Sequence, residues 1–121
     1  GESVGRAIAS WKEDVRVLVM GTGGLSHQLD GQRAGFINKP FDLMCMDALV
    51  DDPKKLTRYS ALDLVREAGA QGTELMAWIA ARAALPGNVT KVHSHYHVPI
   101  SNTAGGLLAL QNDGAALARA A

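Results

Sequence analysis

The sequence predicts a mixed α/β fold, a layered sheet flanked by helices, on three observations. Apolar residues recur at helical spacing in several separate segments. Apolar, strand-like runs interrupt them at Val15–Met20, Val89–Val98 and Leu107–Leu110. Clusters of Gly, Pro and Asn separate the two kinds of segment. The resulting order is helix, strand, several helices, strand, strand, which suits a layered arrangement. Two or three strands make a small sheet for that many helices. The expectation is therefore an incomplete piece of a larger α/β domain, with further strands supplied by polypeptide outside these 121 residues.

Each element has its own local reason. Val4, Ala7, Ile8 and Trp11 follow the i, i+3, i+4, i+7 spacing of an amphipathic helix. That helix opens almost at Gly1, with no initiator methionine, as a fragment or a processed chain would. Val15-Arg16-Val17-Leu18-Val19-Met20 is nearly all apolar and reads as a strand buried on both faces. Gly21-Thr22-Gly23-Gly24 ends it, and the stretch from Leu29 to Lys39 has no period and reads as loop. Phe41, Met44, Cys45, Ala48 and Leu49 mark a second helix. Asp52-Pro53 marks the start of a short third one. Ser60 and Asp63 have capping-box spacing, with Gly69 as the stop of the helix they open. A longer helix is expected from about Gln71 to Leu85, closed by Pro86-Gly87. After the second strand comes a Ser101-Asn102-Thr103 loop, and Asp113 to Ala121 reads as a frayed, Ala-rich tail.

Composition narrows the function classes. Lys+Arg and Asp+Glu balance at 12 each, which removes the usual electrostatic case for a nucleic-acid or anionic-membrane partner. The lone cysteine, Cys45, excludes an intramolecular disulfide and a paired-cysteine zinc motif. No apolar run approaches the ~20 residues of a bilayer span. With no secretory pattern at the start, a cytoplasmic setting is the default expectation.

Four features could carry chemistry. His27 follows a glycine-rich turn at the carboxyl end of a strand, where open α/β sheets bind ligands. Histidine as a residue type serves general acid–base chemistry near neutral pH. The alternative is a histidine that simply packs a loop. The turn lacks the GxGxxG and GxxxxGK[ST] patterns, so a nucleotide cradle is not favoured. Glu74 falls in the first turn of the expected long helix, with Ala77, Trp78 and Ala81 on its face. A carboxylate there is either exposed or, if buried, in need of a partner or a metal. His93, His95 and His97 alternate along one strand and share a face, which permits either a metal ladder or ordinary polar packing. Ser101 and Asn102 lie beyond the same strand, as part of an ordinary turn or of a ligand site.

Taken together and in order, these residues resemble a known family. Gly21-Thr22-Gly23-Gly24-Leu25-Ser26-His27-Gln28-Leu29 is followed by Gly31, Arg33-Ala34-Gly35 and Ile37-Asn38. Phe41-Asp42, Asp52-Pro53 and Glu67-Ala68-Gly69 come next. Gly72-Thr73-Glu74-Leu75 with Trp78, then Tyr96-His97-Val98-Pro99 and Ser101-Asn102-Thr103, complete the pattern. It is similar to the catalytic β subunits of class III extradiol ring-cleavage dioxygenases, protocatechuate 4,5-dioxygenase first, with gallate and methylgallate dioxygenases sharing much of it. The resemblance runs from about Val4 to Leu110.

The resemblance implies ring cleavage of a catecholic aromatic acid, protocatechuate by preference, by O2 at a non-heme Fe(II) site held by two histidines and a glutamate. It puts the glutamate ligand at Glu74, the acid/base histidine at His27, and a substrate-holding role at Ser101 and Asn102. His97 matches a family position, whereas His95 replaces a usually aromatic residue. The two iron-binding histidines fall in an N-terminal half outside this chain. Residues 1–112 would thus be the C-terminal part of the catalytic domain, 113–121 a disordered tail, and the isolated chain close to inactive. A small helical α subunit, or its fused equivalent, is the partner the resemblance implies. A non-catalytic module binding an aromatic ligand or a partner is the alternative from another class.

Overall fold

A computed structural model describes residues 1–113. Helix α1 spans Glu2–Ala9, α2 Lys39–Asp51, α3 Ala61–Ala68 and α4 Leu75–Ala83. Tight 3₁₀ turns at Pro53–Arg58 and Gln71–Glu74 lead into α3 and α4. Strands β1 (Val89–His97) and β2 (Gly105–Asn112) form one antiparallel hairpin. The expected mixture of helix and sheet is present, in a small assembly that reads as part of a domain.

Local chemistry explains most boundaries. Asn38 caps α2 by accepting a hydrogen bond from Phe41 N–H, and Pro40 sits in the first turn, where its missing N–H costs nothing. The Asn38-Lys39-Pro40 stretch expected as loop is thus the start of a helix. Ser60 and Asp63 form the anticipated capping box: Ser60 N–H donates to Asp63 Oδ2 at 2.9 Å, and Asp63 N–H to Ser60 Oγ at 3.2 Å. Gly69, at φ +87°, closes α3 in a conformation that favours glycine. Asp52 precedes its 3₁₀ turn but makes no side-chain cap.

Two further expectations change. Val15–Met20 is not a buried strand: no described strand pairs with it, and Leu18 is 82% exposed. An apolar run can hold a strand only where a second backbone takes its N–H and C=O groups, and periodicity cannot supply one. Leu18 and Met20 instead line an apolar cavity of about 340 Å³ with Trp78, Leu85 and Leu108. The long helix from Gln71 is split into a 3₁₀ turn and a nine-residue α4. Asp113, where the tail was expected to begin, accepts a 2.6 Å hydrogen bond from Thr90 Oγ1. The remaining tail residues, 114–121, lie outside the described residues.

The core sits between α2, α3, α4 and the inner face of the hairpin. Leu25, Cys45, Leu49, Leu56, Leu64, Leu75 and Ala104 are essentially inaccessible, and Phe41 meets Tyr59 edge to face at 5.4 Å. Full burial of each such leucine contributes about 1.5–3 kcal/mol. Burial pushes the Cys45 thiol up to about 12, so it packs as a small apolar group. By contrast, α1 buries none of its residues, and its Val4 face stays half exposed. No helix among the described residues is long and apolar enough to cross a membrane.

Arg82 joins the layers. Buried on α4, it donates from Nε to the Leu49 carbonyl of α2 at 2.8 Å, and from its two Nη atoms to Leu85 and Gly87 at 2.8 and 2.9 Å. One planar fork thus satisfies three carbonyls at the end of α2 and beyond α4. Arg82→Met is expected to destabilise the fold by about 2–3 kcal/mol in equilibrium denaturation, since the carbonyls lose their donor while remaining shielded. Arg82→Lys should recover only part of that loss.

Candidate active site

The glycine-rich turn and the segment behind it form a strip clamped on three sides. Leu25 N–H donates to the Ala104 carbonyl, Ala104 N–H to Ser26, and His27 N–H to Ala68 at the end of α3. His27 also pairs with Thr103 in an isolated antiparallel bridge. The residues ahead of β2 therefore run beside the strip, while α3 closes its other edge.

At the upstream end, α4 and the residue before it grip the turn. Trp78 Nε1–H donates to the Gly23 carbonyl at 3.0 Å, and Gly24 N–H donates to Glu74 Oε2 at 2.6 Å. The approach is so close that side chains are excluded. A Cβ on Gly23, which has φ +136°, would lie 2.5 Å from Glu74 Cβ, and one on Gly24 would lie 2.6 Å from His27 Cε1. The glycines exist to let a carboxylate and an imidazole reach the same stretch of backbone.

His27 itself is 5% exposed. Its Nδ1 lies 2.9 Å from the Leu25 carbonyl. A carbonyl oxygen can only accept, so Nδ1 carries the proton and Nε2 keeps its lone pair in the neutral ring. That Nε2 faces Glu74 Oε2 at 4.0 Å, and the glutamate side chain remains 47% exposed. Sequence spacing put Glu74 in the first turn of a long helix. It stands instead at the end of the 3₁₀ turn, as the residue preceding α4. His27 and Glu74, 47 positions apart, are brought together.

Ser101 and Asn102 are exposed in the turn between the strands, where Asn102 adopts φ +51° and donates its N–H to the Pro99 carbonyl. The Asn102 side chain approaches Gly35. Thr103, the next residue, is the one paired with His27, so this turn borders the strip. His93, His95 and His97 are exposed on β1, with the last two rings stacked at 6.4 Å. Among the described residues no group of three or more histidine, cysteine or acidic side chains is placed to hold a metal. The ladder is not brought to His27 or Glu74.

Sequence reasoning missed Asp42. This carboxylate is 1% exposed and accepts from Ser26 N–H at 2.8 Å, Ser26 Oγ–H at 2.6 Å and Tyr96 O–H at 2.9 Å. Ser26 Oγ in turn accepts from Asn38 N–H at 2.7 Å. Burial pushes the Asp42 carboxyl above its ordinary range, opposed by the hydrogen bonds from Ser26 and Tyr96 and by the neighbouring His27. Burial, and then the bond to Asp42, raises the Tyr96 phenol, which therefore stays protonated as a donor. A signal existed: Phe41, Cys45 and Met46 at i−1, i+3 and i+4 put this acid on an apolar helix face.

The donor set tests the metal expectation in part. Glu74 offers a half-exposed carboxylate beside an imidazole lone pair, which suits one ligand of a divalent cation and a neighbouring proton acceptor. It supplies one ligand, not a complete site.

Gly23→Ala should push Glu74 off the turn and destabilise the chain by about 1–3 kcal/mol. The Gly24 amide proton, held downfield by a carboxylate acceptor, is expected to move upfield in the NMR spectrum. An unchanged Gly24 resonance would count against the steric account.

Comparison with known proteins bears on these residues directly. Residues 1–106 match the family described as the catalytic LigB subunit of aromatic ring-opening dioxygenase. A gallate dioxygenase of Pseudomonas putida is 38% identical over 117 residues, covering 97% of this chain and 34% of the relative. The chain thus spans about a third of that relative's length. With a match over most of its length, and with His27 and Glu74 brought together at the glycine turn, the chain belongs to the LigB family of aromatic ring-opening dioxygenases, whose members are generally metal-dependent.

Proposed function

We propose that this chain forms the proton-transfer side of an extradiol ring-cleavage site, acting on an aromatic acid with adjacent ring hydroxyls. The observation that carries the reading is His27 Nε2 facing Glu74 Oε2 across 4.0 Å while Nδ1 is turned to the Leu25 carbonyl. Membership of the LigB family supports aromatic ring opening. The gallate dioxygenase relative supports gallate ahead of protocatechuate, the first expectation from the sequence.

In this reading Glu74 is one of three iron ligands, and two histidines come from polypeptide outside this chain. Ferrous iron, when bound, supplies the electron chemistry that lets dioxygen react with an aromatic ring. His27 Nε2 accepts the proton of one ring hydroxyl and later returns it to an oxygen of the cleaved product. The Leu25 carbonyl keeps Nδ1 protonated, so the proton exchanges only at Nε2, and the buried ring limits exchange with bulk water. Ser101 and Asn102, on the turn bordering the strip, hold the substituents of the ring.

Anaerobic titration of the iron-loaded enzyme, the longer polypeptide that carries this chain together with the two histidines, with gallate and with protocatechuate, followed by oxygen, tests the activity. Ring opening between the hydroxyls, rather than beside them, would reject the extradiol assignment. Glu74→Ala is expected to abolish iron retention, and equal iron content in variant and wild type would reject its role as a ligand. His27→Ala should keep iron and substrate binding while slowing turnover by ~100-fold or more, the usual scale for loss of a general acid–base.

A further inference from the structure

We propose that Asp42 is the positioning residue for His27, the one side chain that sets where the imidazole stands relative to Glu74 and the Ser101–Thr103 turn. The inference rests on the reading of His27 as the proton-transfer residue. Of the three main-chain N–H groups in Leu25, Ser26 and His27, two go to backbone carbonyls, of Ala104 and Ala68. The central one, from Ser26, goes to Asp42 Oδ1. Ser26 is also held through its hydroxyl on Oδ2, so the carboxylate grips one residue at two points. That residue sits between Leu25, whose carbonyl holds His27 Nδ1, and His27 itself. A shift of Ser26 therefore changes both ends of the bond that orients the ring.

The same oxygen, Oδ2, accepts from Tyr96 on β1, five residues before Ser101. Asp42 thus ties the proton-transfer strip, α2 and the strand leading to the substrate turn to one point. All three donors converge on a group 1% exposed, and they leave Oδ2 no acceptor to serve as a donor itself. An amide at this position would turn its NH₂ toward hydroxyls that now donate.

The test uses Asp42→Asn in the iron-loaded holoenzyme, with the His27 ring tautomer read by ¹⁵N NMR in the metal-free protein above neutral pH. Expected are unchanged iron content, a KM within about 3-fold of wild type and a kcat per bound iron reduced ~10- to 100-fold, the scale of a small misplacement of a reacting group. The tautomer should move from Nδ1–H toward a mixture. A kcat per iron at the wild-type level overturns the proposal, because a merely structural residue lowers yield without changing the molecules that remain folded. A reduced kcat with an unchanged tautomer ratio overturns it as well, since the loss then arises elsewhere. Tyr96→Phe, which removes one bond and leaves the carboxylate, should show the same pattern in weaker form and decides the matter if Asp42→Asn does not fold. Turnover unaffected in His27→Ala would reject the reading of His27 instead, and the tautomer measurement would still judge the positioning role.

Discussion

Residues Gly23 to His27 pass through a space that admits backbone but no further side chain. On one side stand Glu74 and Trp78, on another the end of α3, and on the third the residues leading into β2. Two carbons added at Gly23 and Gly24 would fall within 2.6 Å of the glutamate and the imidazole. The rest of the site follows from that clearance. Because the backbone comes so close, a main-chain N–H can hold the carboxylate and a main-chain carbonyl can hold the ring, and neither depends on a flexible partner. Main-chain groups fixed by pairing on both edges are stiff, so the 4.0 Å separation of Nε2 and Oε2 is built into the backbone.

Two buried ionisable side chains complete the frame, and neither has a counter-charge in hydrogen-bond contact. Asp42 is compensated by three donors and Arg82 by three carbonyls. Burial of a charge is costly, and hydrogen bonds to neutral groups offset it only when geometry is good at every one. Such groups therefore demand a unique arrangement of the segments they join. Arg82 fixes α2 against the end of α4, where the leucine-rich core lies. Asp42 fixes α2 against the strip that carries His27 and against β1. One face of α2 thus serves packing, and its first turn serves the site.

The chain belongs to a family of metal-dependent ring-opening enzymes, yet the described residues bring together one carboxylate and one imidazole rather than a set of three ligands. Leu18 and Met20 of the Val15–Met20 run are exposed, α1 buries none of its residues, and an apolar cavity lies beside β2.

What was legible in the sequence was local. The capping box at Ser60 and Asp63, the stop at Gly69, the helix through Cys45 and the two strands of the hairpin each depend on residues a few positions apart, so spacing alone determined them. His27 and Glu74 could be singled out for the same reason, one by its glycine turn and one by its helix, and the ordered resemblance to a family joined them. Tertiary structure decided everything that needs a distant partner. It left Val15–Met20 outside the sheet because no described strand pairs with it, and it shortened the helix after Gln71 to turn Glu74 toward Gly24. It also made Asp42, in sequence an acid on an apolar face, the point where Ser26 and Tyr96 converge. His27 and Glu74 lie 47 residues apart in sequence, and only the packing of α4 against a side-chain-free turn brings them within 4.0 Å.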